Sequence, residues 1–110
     1  MCMHDTPNVN DTELAVLAAL IRKPLYGFSL VEEVARISDG RVTVTLGGIY
    51  PVLHRMEGKG LIEAFWGDES EERLGARRRY YRITGLGESA ARDTRNMLST
   101  AFRGVRPAHA

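Results

Sequence analysis

Four stretches of the chain carry apolar residues at helical spacing, and two more are the aromatic and β-branched runs of strands. In the first, Leu14, Leu17, Ala18 and Ile21 share one face of a helix predicted over residues 11–22. Asn10 followed by Glu13 has capping-box spacing, in which the two side chains satisfy each other's backbone N–H groups. Pro24 stops this helix and Tyr26-Gly27 makes the corner to a second over residues 28–38, marked by Leu30, Val34 and Ile37 and ended by Asp39-Gly40. Val42-Thr43-Val44 is β-branched and reads as a stub of strand. A third helix is expected within residues 47–59, with Ile49, Val52, Leu53 and Met56 inward and Gly60 as the stop. Thr45 can cap it, yet Pro51 would then sit beyond the first turn and break a hydrogen bond, so a start at Gly47 or Gly48 is preferred. Residues 61–66 and 78–83 form a hairpin around the polar, glycine-bounded segment 67–75. Thr84 caps a last helix over residues 85–103, striped by Leu86, Ala90, Met97 and Ala101.

The predicted order is helix, helix, short strand, helix, hairpin, helix. Three helices closing a core around Leu17, Leu30, Val34, Leu53 and Met56, with a hairpin over one end, is the winged helix-turn-helix plan: mainly α, a small β-hairpin wing, and a C-terminal helix. The expected organisation is a flexible tail over residues 1–9, a winged-helix domain over 10–84, a dimerisation helix over 85–103 and a second tail over 104–110.

Composition narrows the function by exclusion. The 110 residues suit one domain with a modest core, and 44% hydrophobic with 26% charged residues is ordinary for a soluble protein. No apolar run approaches the roughly 20 residues that span a bilayer, and the polar start has no signal-peptide pattern. The single cysteine, Cys2, excludes an internal disulfide framework and suits the cytoplasm. His4, His54 and His109 are far apart, no CxxC, HExxH or GxSxG spacing occurs, and Gly58-Lys59-Gly60 lacks the Ser or Thr that a phosphate-binding loop needs. The sequence therefore reads as no enzyme, with no cofactor and no metal site. Net charge is only +1, but the basic residues are segregated: one cluster runs from His54 to Lys59, another from Arg73 to Arg82, and the acids gather in Asp68-Glu69-Ser70-Glu71-Glu72.

That segregation supplies the candidate chemistry. On a helical wheel the outward face of the third helix holds Gly47, Pro51, His54, Arg55 and Gly58, flanked by Gly48 and Tyr50. Small residues let a helix approach a groove floor, Arg55 can offer paired donors to guanine O6 and N7, and Tyr50 can donate to a phosphate. Lys59, Arg77, Arg78 and Arg79 are candidates to grip phosphates, the last three from the base of the wing. The competing reading makes His54 and Arg55 a solvated helix face and pairs the arginines with the acidic loop. On the last helix Leu86, Ala90, Met97, Leu98, Ala101 and Phe102 present more apolar surface than a small monomer covers, which predicts a homodimer; packing on the chain's own first helix is the alternative.

Three segments bear a family likeness. Tyr26-Gly27-Phe28-Ser29-Leu30 resembles the HGY-E-L corner of PadR-like transcriptional regulators. Residues 47–62, from Gly47-Gly48-Ile49-Tyr50-Pro51 to Gly60-Leu61-Ile62, resemble that family's GTLYPALHRLEEKGLI segment, and Arg78-Arg79-Tyr80-Tyr81-Arg82-Ile83-Thr84 resembles its RKYYRLTEKG strand. The resemblance spans roughly residues 11–90 and implies a dimeric repressor with the third helix on a double-stranded DNA operator, the wing on phosphates, and a small-molecule effector near the dimer interface. Gly48 replaces the usual Thr, and Tyr26 and Phe28 replace the usual His and Tyr. The reading set against a DNA-binding regulator is a winged-helix protein-interaction module, since one fold serves many functions.

Overall fold

A computed structural model describes residues 7–67 and 78–104. The chain runs α1 (Asp11–Leu20), β1 (Leu25–Tyr26), α2 (Gly27–Ile37), α3 (Leu46–Gly58), β2 (Ile62–Trp66), β3 (Arg79–Ile83) and α4 (Gly85–Ala101). It is a mainly helical winged-helix fold with a three-stranded antiparallel sheet in the order β1-β3-β2.

α1 begins as its sequence requires. Asn10 Oδ1 accepts from the Glu13 N–H at 2.8 Å, and Glu13 Oε1 accepts from the Asn10 N–H at 3.1 Å. The helix is the centre of the core, so apolar side chains leave it on nearly every side. Ala15, Val16, Leu17, Ala19 and Leu20 are buried, whereas Ala18 and Ile21 are exposed. The expected face of Leu14, Leu17, Ala18 and Ile21 is thus corrected: a helix packed by neighbours all round has no single stripe for periodicity to find. Leu30 and Val34 of α2, Ile49, Leu53 and Met56 of α3, and Leu61 complete the core with no exposure at all.

Two further expectations change. Residues 42–44 form no strand; Val42 and Val44 pack on the core from an extended loop, hooked by Ser38 Oγ, which accepts from the Val42 N–H at 3.0 Å. The edge place beside β3 is taken by Leu25–Tyr26, paired with Tyr81 and Tyr80. The start of α3 also moves. Thr45 is the N-cap, its Oγ1 accepting from the Gly48 N–H at 2.9 Å, and Pro51 lies inside the helix. The proline costs one hydrogen bond, to the Gly47 carbonyl, but both residues face solvent, and a cap of this kind contributes about 1 kcal/mol. Gly60, at φ 78°, ends the helix by sending the Leu61 N–H back to the Met56 carbonyl at 3.0 Å.

The first described residues meet the body of the fold. Val9 packs on the core, and the Asn8 carbonyl accepts from Lys59 Nζ at 3.3 Å.

Candidate nucleic-acid interface

The exposed surface of α3 is ordered by its helical phase. With Ile49, Leu53 and Met56 buried, the opposite side carries Gly47, Pro51, His54 and Gly58 in a line, all exposed. Apart from His54, the residues of this centre are small. Arg55 and Lys59 lie on the flank toward α1; Tyr50 and Glu57 lie on the flank toward the sheet. Gly48 is exposed near the N-cap, where a Cβ would meet Thr45 Oγ1 at 2.9 Å. Tyr50, 47% exposed, leans its ring on Gly27; a Cβ there would overlap the Tyr50 hydroxyl.

On the α1 flank both cations face one acid. Glu13 is 1% exposed. Lys59 Nζ donates to Glu13 Oε1 at 3.1 Å and Oε2 at 3.0 Å, and Arg55 Nε lies 3.5 Å from the same Oε2. Burial pushes the Glu13 carboxyl up, but the Lys59 hydrogen bond, the Asn10 backbone bond and the two nearby cations outweigh it, and its pKa ends below the ordinary value of 4.5. With the Asn8 carbonyl as a third acceptor, the Lys59 ammonium has partners for all three of its N–H groups. In this structure Lys59 is engaged with the fold. Arg55 keeps about half of its side chain in solvent.

The wing base is the opposite flank. Arg78 stands over the Tyr26 ring at 4.6 Å and Arg79 over the Trp66 ring at 5.3 Å, with Arg79 Nη2 3.8 Å from Glu57 Oε2. Alternation along β3 separates the arginines as expected. Arg79 shares a face with buried Tyr81, whose hydroxyl is pushed up in pKa by burial, against a smaller downward pull from Arg79. Tyr80 and Arg82 lie on the other face, where Tyr80 stacks with Phe65 and Arg82 binds Glu63 at 2.7 Å. Arg77, and the acidic loop proposed to compete for it, fall outside the described residues. Trp66 takes no core place: it is 55% exposed at the end of β2, opposite Arg79 in register.

The apolar residues of α4 divide. Ala90 is buried in the chain's own core, which removes it from the surface expected to meet a partner. Leu86 stands in the first turn near Gly60, about 16 Å along the helix from Met97 at 1.5 Å per residue. Met97, Leu98, Ala101 and Phe102 form the exposed set, and from Arg95 to Ala101 every residue of α4 is exposed. Pro7 and Asn8 face this helix across an open groove of about 620 Å³, lined also by Asp93, Thr94, Met97 and Thr100. Among the described residues, no group of three or more His, Cys, Asp or Glu is placed to hold a metal, and no helix is long and apolar enough to cross a membrane.

The pattern of the PadR-like family of transcriptional regulators matches residues 16–93, a span that holds the core, α3 and both wing strands. The chain belongs to this family. Among solved PadR relatives, the crystal structure of a PadR family transcriptional regulator from Eggerthella lenta is 27% identical, covers 84% of this chain and 75% of its own, and superposes with a TM-score of 0.65. A PadR-like transcription factor from Bacteroides fragilis is 25% identical over 81% of each chain, with a TM-score of 0.66. An uncharacterized protein of Lysinibacillus sphaericus is 34% identical over 74 residues, 67% of this chain. The chain spans 65% of that relative's length. The matched span includes the exposed residues of α3 and the arginines at the wing base.

Proposed function

We propose that this PadR-like chain works in the cytoplasm as a homodimeric, sequence-specific repressor whose α3 enters the major groove of an operator. The observation that carries the reading is the surface of α3: a low centre of Gly47, Pro51 and Gly58 with His54, bordered by Arg55 on one side and by Tyr50 and Arg79 on the other. A groove floor needs a helix without bulk, and the phosphates on either side need cations. Arg55 reads a base edge, Tyr50, Arg78 and Arg79 hold the backbone, and Gly47 and Gly48 allow close approach.

Support for dimerisation is the exposed half of α4, which leaves Met97 at 57% and Phe102 at 60% exposure. The groove between Pro7-Asn8 and α4 supports a small-molecule effector that a partner helix would help enclose. Replacing Met97 and Phe102 together by Glu places charges in that interface, and sedimentation should show the dimer dissociating to monomer at micromolar concentration, with helix content unchanged.

The test is anisotropy titration against the duplex upstream of the protein's own gene, beside a scrambled duplex, at two salt concentrations. Tight binding to the first alone is the expected result. Binding to neither at low salt refutes the reading and favours the protein-interaction module. Arg55→Ala should cost about 1–3 kcal/mol on the operator and relax base preference, while Arg79→Ala should weaken both duplexes alike and reduce the salt slope by about 1.

A further inference from the structure

We infer that Glu13, outside the reading helix, is a positioning residue for base discrimination, its carboxylate pairing with the Arg55 guanidinium on the Nε side and so restricting where that side chain reaches. The inference rests on the reading of α3 as the DNA-facing helix. Glu13 does more than cap α1. A cap needs one acceptor for the Asn10 N–H, and Glu13 Oε1 serves there at 3.1 Å. The second oxygen lies 3.0 Å from Lys59 Nζ and 3.5 Å from Arg55 Nε, on a side chain 1% exposed. Lys59 grips both oxygens, so the carboxylate cannot swing away from the arginine. Arg55 thus pairs with a buried carboxylate at 3.5 Å and keeps about half of its side chain in solvent.

Two physical consequences follow. An arginine free on a helix surface must lose rotamer freedom before it can make a bidentate contact; one paired with a fixed carboxylate has lost part of it on folding. The carboxylate also neutralises one of the two cations at its flank, which lowers the attraction for any phosphate backbone irrespective of sequence. Discrimination is a ratio of affinities, so the first effect raises it, whereas the second acts on operator and scrambled duplex alike and shows in the salt slope.

The test compares wild type, Glu13→Gln, Arg55→Ala and the double variant on the operator and scrambled duplexes across a salt series, with thermal melts alongside. Glutamine keeps the size and the acceptor for the Asn10 N–H. Glu13→Gln is expected to bind the scrambled duplex more tightly with a steeper salt slope, and its operator-to-scrambled ratio should fall about fivefold to tenfold. In the Arg55→Ala background the same change should leave the ratio where it stands, an outcome that a loss of stability alone would not produce. An unchanged ratio in Glu13→Gln, or an equal fall in both backgrounds, overturns the inference. Should Glu13→Gln melt below the assay temperature, Glu13→Asp decides: it keeps the charge but withdraws the carboxylate by one methylene, so full discrimination in that variant overturns the inference and a reduced ratio with an unchanged salt slope supports it. If wild type itself treats the two duplexes alike, the assignment of α3 falls first, which is a different result from a discriminating wild type with an indifferent Glu13 variant.

Discussion

Gly87→Ala is expected to unfold the protein at temperatures the wild type tolerates easily. The residue is buried at the third position of α4, and its N–H donates to the cap hydroxyl of Thr84 at 3.0 Å. A single added methyl would run into the Leu61 carbonyl oxygen and would stand 2.8 Å from Ile83 Cγ1. The first obstacle is backbone, at the corner between α3 and β2, and it cannot rotate aside as a side chain would. The glycine is needed for contact, not for its dihedral angles, since it is absent from the positive-φ residues. Overpacking of a core normally costs about 1–3 kcal/mol, and backbone involvement puts this site at or above the upper end. Thermal denaturation followed by circular dichroism should show the midpoint lowered by roughly 10 °C or more. A melt within 2 or 3 °C of wild type, on the order of 0.5 kcal/mol, would mean that α4 can slide on this corner.

Glu13→Ala should have the second-largest effect on stability. It removes the N3 half of the capping box and leaves Lys59 and Arg55 facing each other without their shared anion. Stripping one partner from a fully buried pair costs about 3–5 kcal/mol, but Lys59 and Arg55 are 33% and 51% exposed and can turn to water, so the loss here is about 2 kcal/mol. The pH dependence gives an independent check. The carboxyl has a folded pKa below its ordinary 4.5, so its contribution is complete above the unfolded value and disappears as pH falls through the folded one. The gap in melting temperature between wild type and Glu13→Ala should be widest near neutrality and close progressively below about pH 4.5. A gap that stays constant down to pH 3 would assign the whole effect to the cap.

How far the sequence discloses this arrangement depends on the range of each interaction. Helix ends were legible because their signals are local: Asn10 with Glu13, Asp39-Gly40, Gly60 and Thr84 all act within a turn of where they stand. The start of α3 set two local signals against each other. Thr45 prevailed over Pro51 because the bond the proline forfeits is on the solvent side. β1 escaped notice because two residues have no periodicity, and only pairing with Tyr80 and Tyr81, more than fifty residues away, makes them a strand. The candidate site divides in the same way. Helical phase alone brought Gly47, Pro51, His54 and Arg55 to one surface. It could not show that Lys59 turns back to Glu13, 46 residues earlier, because ion pairing across the fold leaves no pattern in the chain.

The corner that makes Gly87 intolerant of a methyl also governs how motion passes through the molecule. Thr84 Oγ1 donates to the Gly60 carbonyl at 2.6 Å, its N–H donates to the Leu61 carbonyl at 3.1 Å, and Gly87 sits directly on that same peptide. The root of α4 and the tail of α3 therefore share a stiff elbow with no free volume to absorb a rotation. A 17-residue helix is a lever of roughly 25 Å, so a turn of about 5° at this elbow sweeps its outer end by about 2 Å. In reverse, a displacement of that size at the outer end of α4 corresponds to a turn of only about 5° at its root.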